Sequence, residues 1–429
     1  LRRKYVVPLL VLGAIVGVTL AFAFYHPPMR LMPPPLIVQD GGEGIFGASG
    51  ETPEDSRLEV YYATNRLPIG PRDNRIYTIA PDRALHFGTA GLRVGNEGTT
   101  WAQLYEWSTG GPTSDRPFIN LERMREEASQ EPDAPLDPET ADWLGRIDGT
   151  LARRPGSDVI VYVHGANTTV ERAAGQAAQL WHFTGQNAVV VLFAWPTAEN
   201  FLRYPSDIET AFGGAPHLAD LIGLLATHTR ARKVDVFTYS AGGTVGSAAL
   251  GELGRERPGI AARLGNVYHA APDADFRDFV DDLAAYAPRA GSVTAAINLN
   301  DSALRLAQVM NRASRAGRPD LRELSETQTR TLLGAVSRGE LDVVQVSPET
   351  IPTLSRTSHT FWYDDPWVSG DVLVTLLFGL PPGARMLDAR EAPGGAAYFT
   401  FAPDFADRIP TLRRHLLAEF APRPAAEAP

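Results

Sequence analysis

Ser240 stands in Val234-Asp-Val-Phe-Thr238-Tyr-Ser240-Ala-Gly242-Gly243, between an apolar run and a glycine-rich stretch. A serine hydroxyl is a weak nucleophile. It attacks a carbonyl only when a histidine removes its proton and an acid orients that histidine. A sharp strand-to-helix turn at Ser240 lifts Oγ clear of the strand, provided the residues two positions to either side are small. Gly242 meets that need, whereas Thr238 stands where glycine is usual and its β-branch tightens the fit. The competing role for this serine is a plain helix cap.

If the chain order is nucleophile, acid, histidine, the candidate bases are His269, His359 and His415. His269 lies inside an apolar strand run, and His415 lies in Arg413-Arg-His-Leu-Leu, which reads as a surface helix. His359 follows the last strong strand run, in a loop ahead of a helix, and is the expected base. Asp301 closes Ile297-Asn-Leu-Asn-Asp301, just after the strand preceding the histidine's own. Asp273, in Ala270-Ala-Pro-Asp273, follows the strand before that. Strand position favours Asp301 as the acid and leaves Asp273 as the alternative; either also suits a helix N-cap. His164-Gly165-Ala166-Asn167 ends the first strong strand, and backbone N–H groups at Ala166 and Ala241 are expected to form an oxyanion hole. The side chain of His164 is expected only to orient that loop. Trp195, Phe201, Phe361 and Trp362 are candidates for an acyl or alcohol pocket, with at least half of them plain core.

These residues need a scaffold. Asp158–Val163 is a continuous apolar run that reads as a parallel strand buried on both faces, and Ala188–Trp195 reads as the next buried strand. Lys233–Tyr239, Gly265–Ala271, Val293–Asn298 and Leu341–Val346 read as further strands. Helical stretches alternate with them, including one opened by a Thr168/Glu171 capping box and one over Asp207–Thr227. Strand and helix in alternation predict a mostly parallel, doubly wound sheet with flanking helices. A serine at a strand-to-helix turn, followed by acid and then histidine, makes the expected fold the α/β-hydrolase fold. Earlier strands are expected at Leu58–Ala63, Leu85–Val94 and Trp101–Trp107, with irregular helix over Asn120–Leu151.

The first residues run Leu1-Arg-Arg-Lys4 and then uncharged and largely apolar from Tyr5 to Tyr25. That run can cross a bilayer core of about 30 Å, and Arg2, Arg3 and Lys4 place the body on the extracytoplasmic, periplasmic side. The sequence thus predicts an N-terminal transmembrane helix within 1–26, with a cleaved signal peptide and secretion as the alternative. A Pro/Gly-rich linker is expected over 27–56, and the hydrolase domain over 57–429. Within it, 57–150 hold the N-terminal strands and irregular segment, and 302–340 a possible lid.

The 429 residues carry a net charge of −10, which argues against a nucleic-acid partner. Cysteine is absent, which excludes disulfides, thiolate nucleophiles and cysteine metal sites. Lys4 and Lys233 are the only lysines, which disfavours Schiff-base chemistry and a P-loop. No metal or nucleotide motif occurs, so no cofactor is expected.

The motifs taken together resemble a bacterial family of α/β-hydrolases of unknown function, classed with esterases and lipases. The matching residues are Tyr62-Ala-Thr-Asn-Arg66, Val163-His-Gly-Ala-Asn167, Phe193-Ala-Trp-Pro196, Ala271-Pro-Asp273, Asn300-Asp301, and His359 ahead of Trp362-Tyr-Asp. The serine box differs, with Tyr239-Ser-Ala-Gly242 where the family usually has His-Ser-Met-Gly. The resemblance spans roughly 57–380 and implies a Ser–Asp–His triad without naming a substrate. The expected activity is hydrolysis of a small-molecule or lipid-like carboxylic ester by Ser240, His359 and Asp301. Acyl transfer or amide hydrolysis by the same triad, and a non-catalytic tethered binding protein, are the rival readings.

Overall fold

Strands whose two faces are both apolar must be covered on both sides, and this chain supplies helices for each face. The computed structural model describes residues 28–39, 55–111, 115–153, 158–392 and 395–420, with positions 13 and 17. The sheet strands are β1 (Arg57–Ile69), β2 (Ile76–Val94), β3 (Ile119–Gln130), β4 (Val159–Val163), β5 (Val189–Phe193) and β6 (Val234–Tyr239). They continue with β7 (Leu264–Ala270), β8 (Ser292–Ile297), β9 (Asp342–Gln345), β10 (Asp388–Glu391) and β11 (Ala397–Thr400). All join one sheet in the order β10-β11-β9-β8-β7-β6-β4-β5-β1-β2-β3. From β1 through β5, β4, β6, β7 and β8 to β9 the neighbours are parallel. The β1–β2–β3 edge and the β10–β11 pair are antiparallel.

The principal helices are α1 (Trp101–Thr109), α2 (Pro138–Leu151), α3 (Val170–Phe183), α4 (Tyr204–His228) and α5 (Gly242–Glu256). After them come α6 (Phe276–Tyr286), α7 (Ser302–Asn311), α8 (Glu326–Ser337), α9 (Pro366–Phe378) and α10 (Phe405–Phe420). Alternation along β4 sorts them. Val159, Val161 and Val163 join the apolar cluster formed with α2, α4, α5 and α6, whereas Ile160 and Tyr162 join the one formed with α3, α9 and α10. Parallel strands align their C-terminal ends, so the loops after β4, β6, β7 and β8 gather along one edge. That is where this type of sheet binds its ligands.

Several expectations need correction. Trp101–Trp107 is helix rather than strand: Thr100 and Gln103 form a reciprocal capping box at the start of α1. Asn120–Leu151 divides into β3 and α2, since β3 alternates buried residues such as Met124 and Ala128 with charged ones. The helix expected to start from Thr168 and Glu171 is capped one residue later, where Thr169 accepts from the N–H of Arg172. Among the described residues no helix is long and apolar enough to cross a membrane. The expected anchor over 1–26 lies outside the described residues, apart from positions 13 and 17.

The expected linker is also more than a spacer. Met29, Leu31, Met32, Ile37 and Val38 are buried in the same cluster as α3 and α10. The N–H of Met32 donates to Gln179 Oε1 at 3.0 Å, that of Ile119 to the carbonyl of Met29 at 2.8 Å. Arg413 Nε of α10 donates to the carbonyl of Ile37 at 3.1 Å. Proline suits this strap because it needs no backbone donor at each such position. Leu31→Ala is therefore expected to cost roughly 2–5 kcal/mol of unfolding free energy by denaturant titration. An unchanged midpoint would return residues 28–39 to the role of spacer.

Candidate active site

Ser240 occupies the turn from β6 into α5 with φ +54°. A non-glycine residue held there costs about 1–3 kcal/mol, so its neighbours must enforce the geometry. They do: its N–H donates to the carbonyl of Ala270 at 3.1 Å, and its own carbonyl accepts from Gly243 and Asp273, both at 2.8 Å. Space is as tight as the turn demands. A Cβ on Gly242 would come within 2.4 Å of the Val163 carbonyl oxygen, and one on Gly165 within 2.8 Å of the Ser240 Cβ. Thr238 fits because the relief lies elsewhere. Its Cγ2 fills the place of a Cβ at Gly246, 2.4 Å away, while its Oγ1 shares a 2.7 Å hydrogen bond with His269 Nδ1. His269 Nε2 meets the Tyr286 hydroxyl at 3.0 Å, and burial pushes the imidazole down to about 3. It is a neutral core residue, as its strand context indicated.

The loop after β9 brings His359 over the turn. Its Nε2 lies 2.8 Å from Ser240 Oγ and its Nδ1 2.6 Å from Asp301 Oδ2. The buried Asp301 carboxylate also uses Oδ1 to accept from the N–H of Leu304 at 2.9 Å, capping α7. Capping and orienting the histidine were not alternatives, because one oxygen serves each. Asn298, which the sequence reading did not single out, holds the two loops together. Its Nδ2 donates to the carbonyl of Ser358 at 2.8 Å, and its own carbonyl accepts from the N–H of Asp301 at 3.0 Å. Polar residues at the end of a buried strand were the available signal.

Burial works to lower the pKa of His359, but the charge and hydrogen bond of Asp301 and the charge of Asp273 outweigh it, leaving the imidazole above its ordinary value. Asp273 lines the cleft and is engaged elsewhere. Its Oδ2 accepts from Tyr204 Oη at 2.6 Å and its Oδ1 from Arg315 Nε at 2.5 Å, in a buried ion pair. Tyr204 and Arg315 were not legible as site residues. His415 lies on exposed α10 turns, remote in sequence from the cleft loops.

Ala241 is the N-cap of α5. The first N–H groups of a helix have no intrahelical acceptor, and its positive dipole end favours an oxyanion. Ala166 lines the same cleft, beside Ser240. Its loop is fixed from behind by three of the quoted motifs. Trp195 Nε1 donates to the carbonyl of His164 at 2.7 Å. The buried Arg66 donates to the carbonyls of Trp195 at 3.1 Å and Thr168 at 3.3 Å, and pairs with Glu199 at 2.8 Å. Asn167 takes φ +50°, a region asparagine tolerates, and its N–H donates to Thr197 Oγ1 at 2.9 Å. The imidazole of His164 stacks on Trp195 and is driven down to about 3 by burial and then by the Arg66 charge. Its Nδ1 faces the carbonyl of Gly165 at 2.8 Å, an orienting contact.

The cleft measures ≈ 570 Å³. It is lined by Tyr204 and Leu304, Leu306 and Ala307 of α7, by Arg172 and Gln176 of α3, and by Tyr239 and Tyr363. The aromatics expected there are mostly elsewhere: Trp195, Phe361 and Trp362 are buried in the core, and the side chain of Phe201 lies outside the described residues. Of the possible lid over 302–340, α7 borders the cleft, whereas α8 packs on α6, with Gln328 Nε2 donating to Asp281 Oδ2 at 3.0 Å.

Among solved structures the chain is similar to esterase B from Lactobacillus rhamnosis. The tributyrin-phosphonate form shares 13% identity at a TM-score of 0.30, covering 52% of this chain and 75% of that one. A second inhibited form shares 14% at 0.31, covering 53% and 78%. Likeness this distant says nothing about substrate. No curated protein matches the chain. Residues 140–355 match the sequence family described as alpha/beta hydrolase of unknown function (DUF900). Half of the chain lies within that match, and the chain belongs to this family of α/β-hydrolases.

Proposed function

We propose that the chain is a serine hydrolase that cleaves carboxylic esters through an acyl-enzyme. The observation that carries this reading is the hydrogen-bonded line from Ser240 Oγ through His359 to Asp301, at 2.8 and 2.6 Å. Ser240 Oγ attacks the ester carbonyl while His359 Nε2 takes its proton, and Asp301 holds the resulting imidazolium at Nδ1. The negative charge on the carbonyl oxygen is met by the N–H groups of Ala241 and Ala166. The C–O bond of the ester then breaks, and His359 protonates the departing alcohol. Water, deprotonated by His359, attacks the acyl-serine, releasing the acid and restoring Ser240. The His359 side chain is 17% exposed, which leaves the base within reach of that water.

We further propose that the Tyr5–Tyr25 run anchors the body at a membrane, with Arg2, Arg3 and Lys4 on the cytoplasmic side. For the chemistry, the purified chain is expected to take a fluorophosphonate label that Ser240→Ala does not. Wild type that stays unlabelled beside a reactive control hydrolase would sink the reading.

A further inference from the structure

The apolar wall of the cleft continues onto the surface. In α7, Leu304 and Ala307 are buried, whereas Leu306, Val309 and Met310 are 44%, 70% and 39% exposed. Their spacing of three and four puts them on one stripe of the helix. Leu306 also lines the cleft, so the stripe starts inside it and runs outward. Leu299, ahead of α7, and Leu202, ahead of cleft-lining Tyr204, are exposed too. Asn311 of α7 donates to Tyr204 Oη at 3.1 Å, which ties Leu202 to the same rim. Single exposed apolar side chains need no explanation, but a group around one mouth marks an interaction surface.

Another part of the rim is tied to the N-terminal strap. Tyr363 and Thr360 line the cleft there, and Asp364, next in the chain, acts on the Arg116 guanidinium through its charge. Arg116 Nη1 donates to the carbonyl of Leu31 at 2.8 Å, and Arg30 Nη1 to the carbonyl of Arg116. Met29 of the strap also packs against Gly175, next to cleft-lining Gln176. The strap over 28–39 therefore joins the body beside the cleft, and the uncharged run Tyr5–Tyr25 precedes it in the chain. Arg305 and Arg312, both exposed, flank the stripe where lipid phosphates would meet them.

We infer that the cleft mouth docks on a lipid surface through Leu202, Leu299, Leu306, Val309 and Met310, and that the ester cleaved is one embedded in that surface, its acyl chain entering along α7. This rests on the ester-hydrolase reading above and uses the same bond cleavage. The chain has no cysteine, so a fluorophore can be placed at one position with Val309→Cys. Arg232→Cys, exposed at the opposite end of the strands, serves as the control.

With the full chain in vesicles of phosphatidylcholine and phosphatidylglycerol, the label at 309 should shift blue and be quenched by brominated lipid, unlike that at 232. A 309 label as water-accessible as the control overturns the inference, and so does shielding at 309 that persists in lipid-free buffer. The double variant Val309→Ser/Met310→Ser should hydrolyse a soluble short-chain ester at the wild-type rate and lose roughly tenfold on an ester lipid in the vesicles. Equal loss on both substrates, or on neither, overturns it as well. If no soluble ester is cleaved and no fluorophosphonate label is taken, the chemistry is what fails, while the 309 label still reports docking.

Discussion

Replacing His359 with alanine is expected to lower kcat on a soluble nitrophenyl ester by roughly 10⁶-fold, and Ser240→Ala to do the same. The double variant should lose little more, because the two groups act as a unit: once the proton cannot leave Oγ, the nucleophile is already lost. The same histidine sets the pH profile. Burial alone would lower its pKa, but Asp301 and then Asp273 hold it above its ordinary value, which is about 6.5. The base works only when neutral, so kcat/KM should climb with pH through a midpoint above that value. Stability runs the other way. A group whose folded pKa is raised contributes stability in full below the unfolded pKa and loses it as pH rises through the folded one. In that window the wild type should gain activity while losing stability, and His359→Ala should flatten both curves. An undiminished rate in His359→Ala would remove this residue from the reaction.

Much of this arrangement was legible because it depends on local and ordered features. The runs behind β4 and β5 are apolar at every position and those behind β6 to β8 are mostly so. That made their burial readable from pattern, and chain order then singled out His359. Other parts depend on contacts the sequence does not display. The strap over 28–39 looked like a spacer because of its prolines, yet Leu31 and Val38 are fully buried against α3 and α10. The Glu and Arg residues of β3 obscured an edge strand, where only one face is buried. Trp and Tyr in α1 suggested a strand, although Thr100 and Gln103 already spelled a capping box. Thr238 stands where glycine is usual, and its β-branch tightens the fit. What admits it is Gly246, eight residues on, together with a partner on the next strand, His269. Arg315 and Tyr204 carry no motif at all, and only the folding of the chain between β8 and β9 against α4 brings them to Asp273.

The choice between the two aspartates is where the structure adds most, and two variants separate them by opposite signatures. Asp301→Asn should lower kcat by about 10⁴-fold. Asparagine keeps an oxygen for the N–H of Leu304, so the cap of α7 and the unfolding midpoint should survive. Its amide nitrogen, however, cannot accept from His359 Nδ1, and the imidazole is turned to the wrong tautomer for taking a proton at Nε2. Asp273→Asn leaves the guanidinium of Arg315 buried without its counter-charge, a change worth about 3–5 kcal/mol of stability. The Ser240–His359–Asp301 line stays whole in that variant, so kcat should remain within about tenfold of wild type. Loss of the Asp273 charge removes one of the influences that raise His359, so the midpoint of kcat/KM should also move to lower pH. One variant loses rate and keeps its fold; the other loses stability, keeps its rate and shifts its pH profile. Stopped-flow or steady-state rates beside thermal melts decide it, and the reverse pairing would make Asp273 the acid.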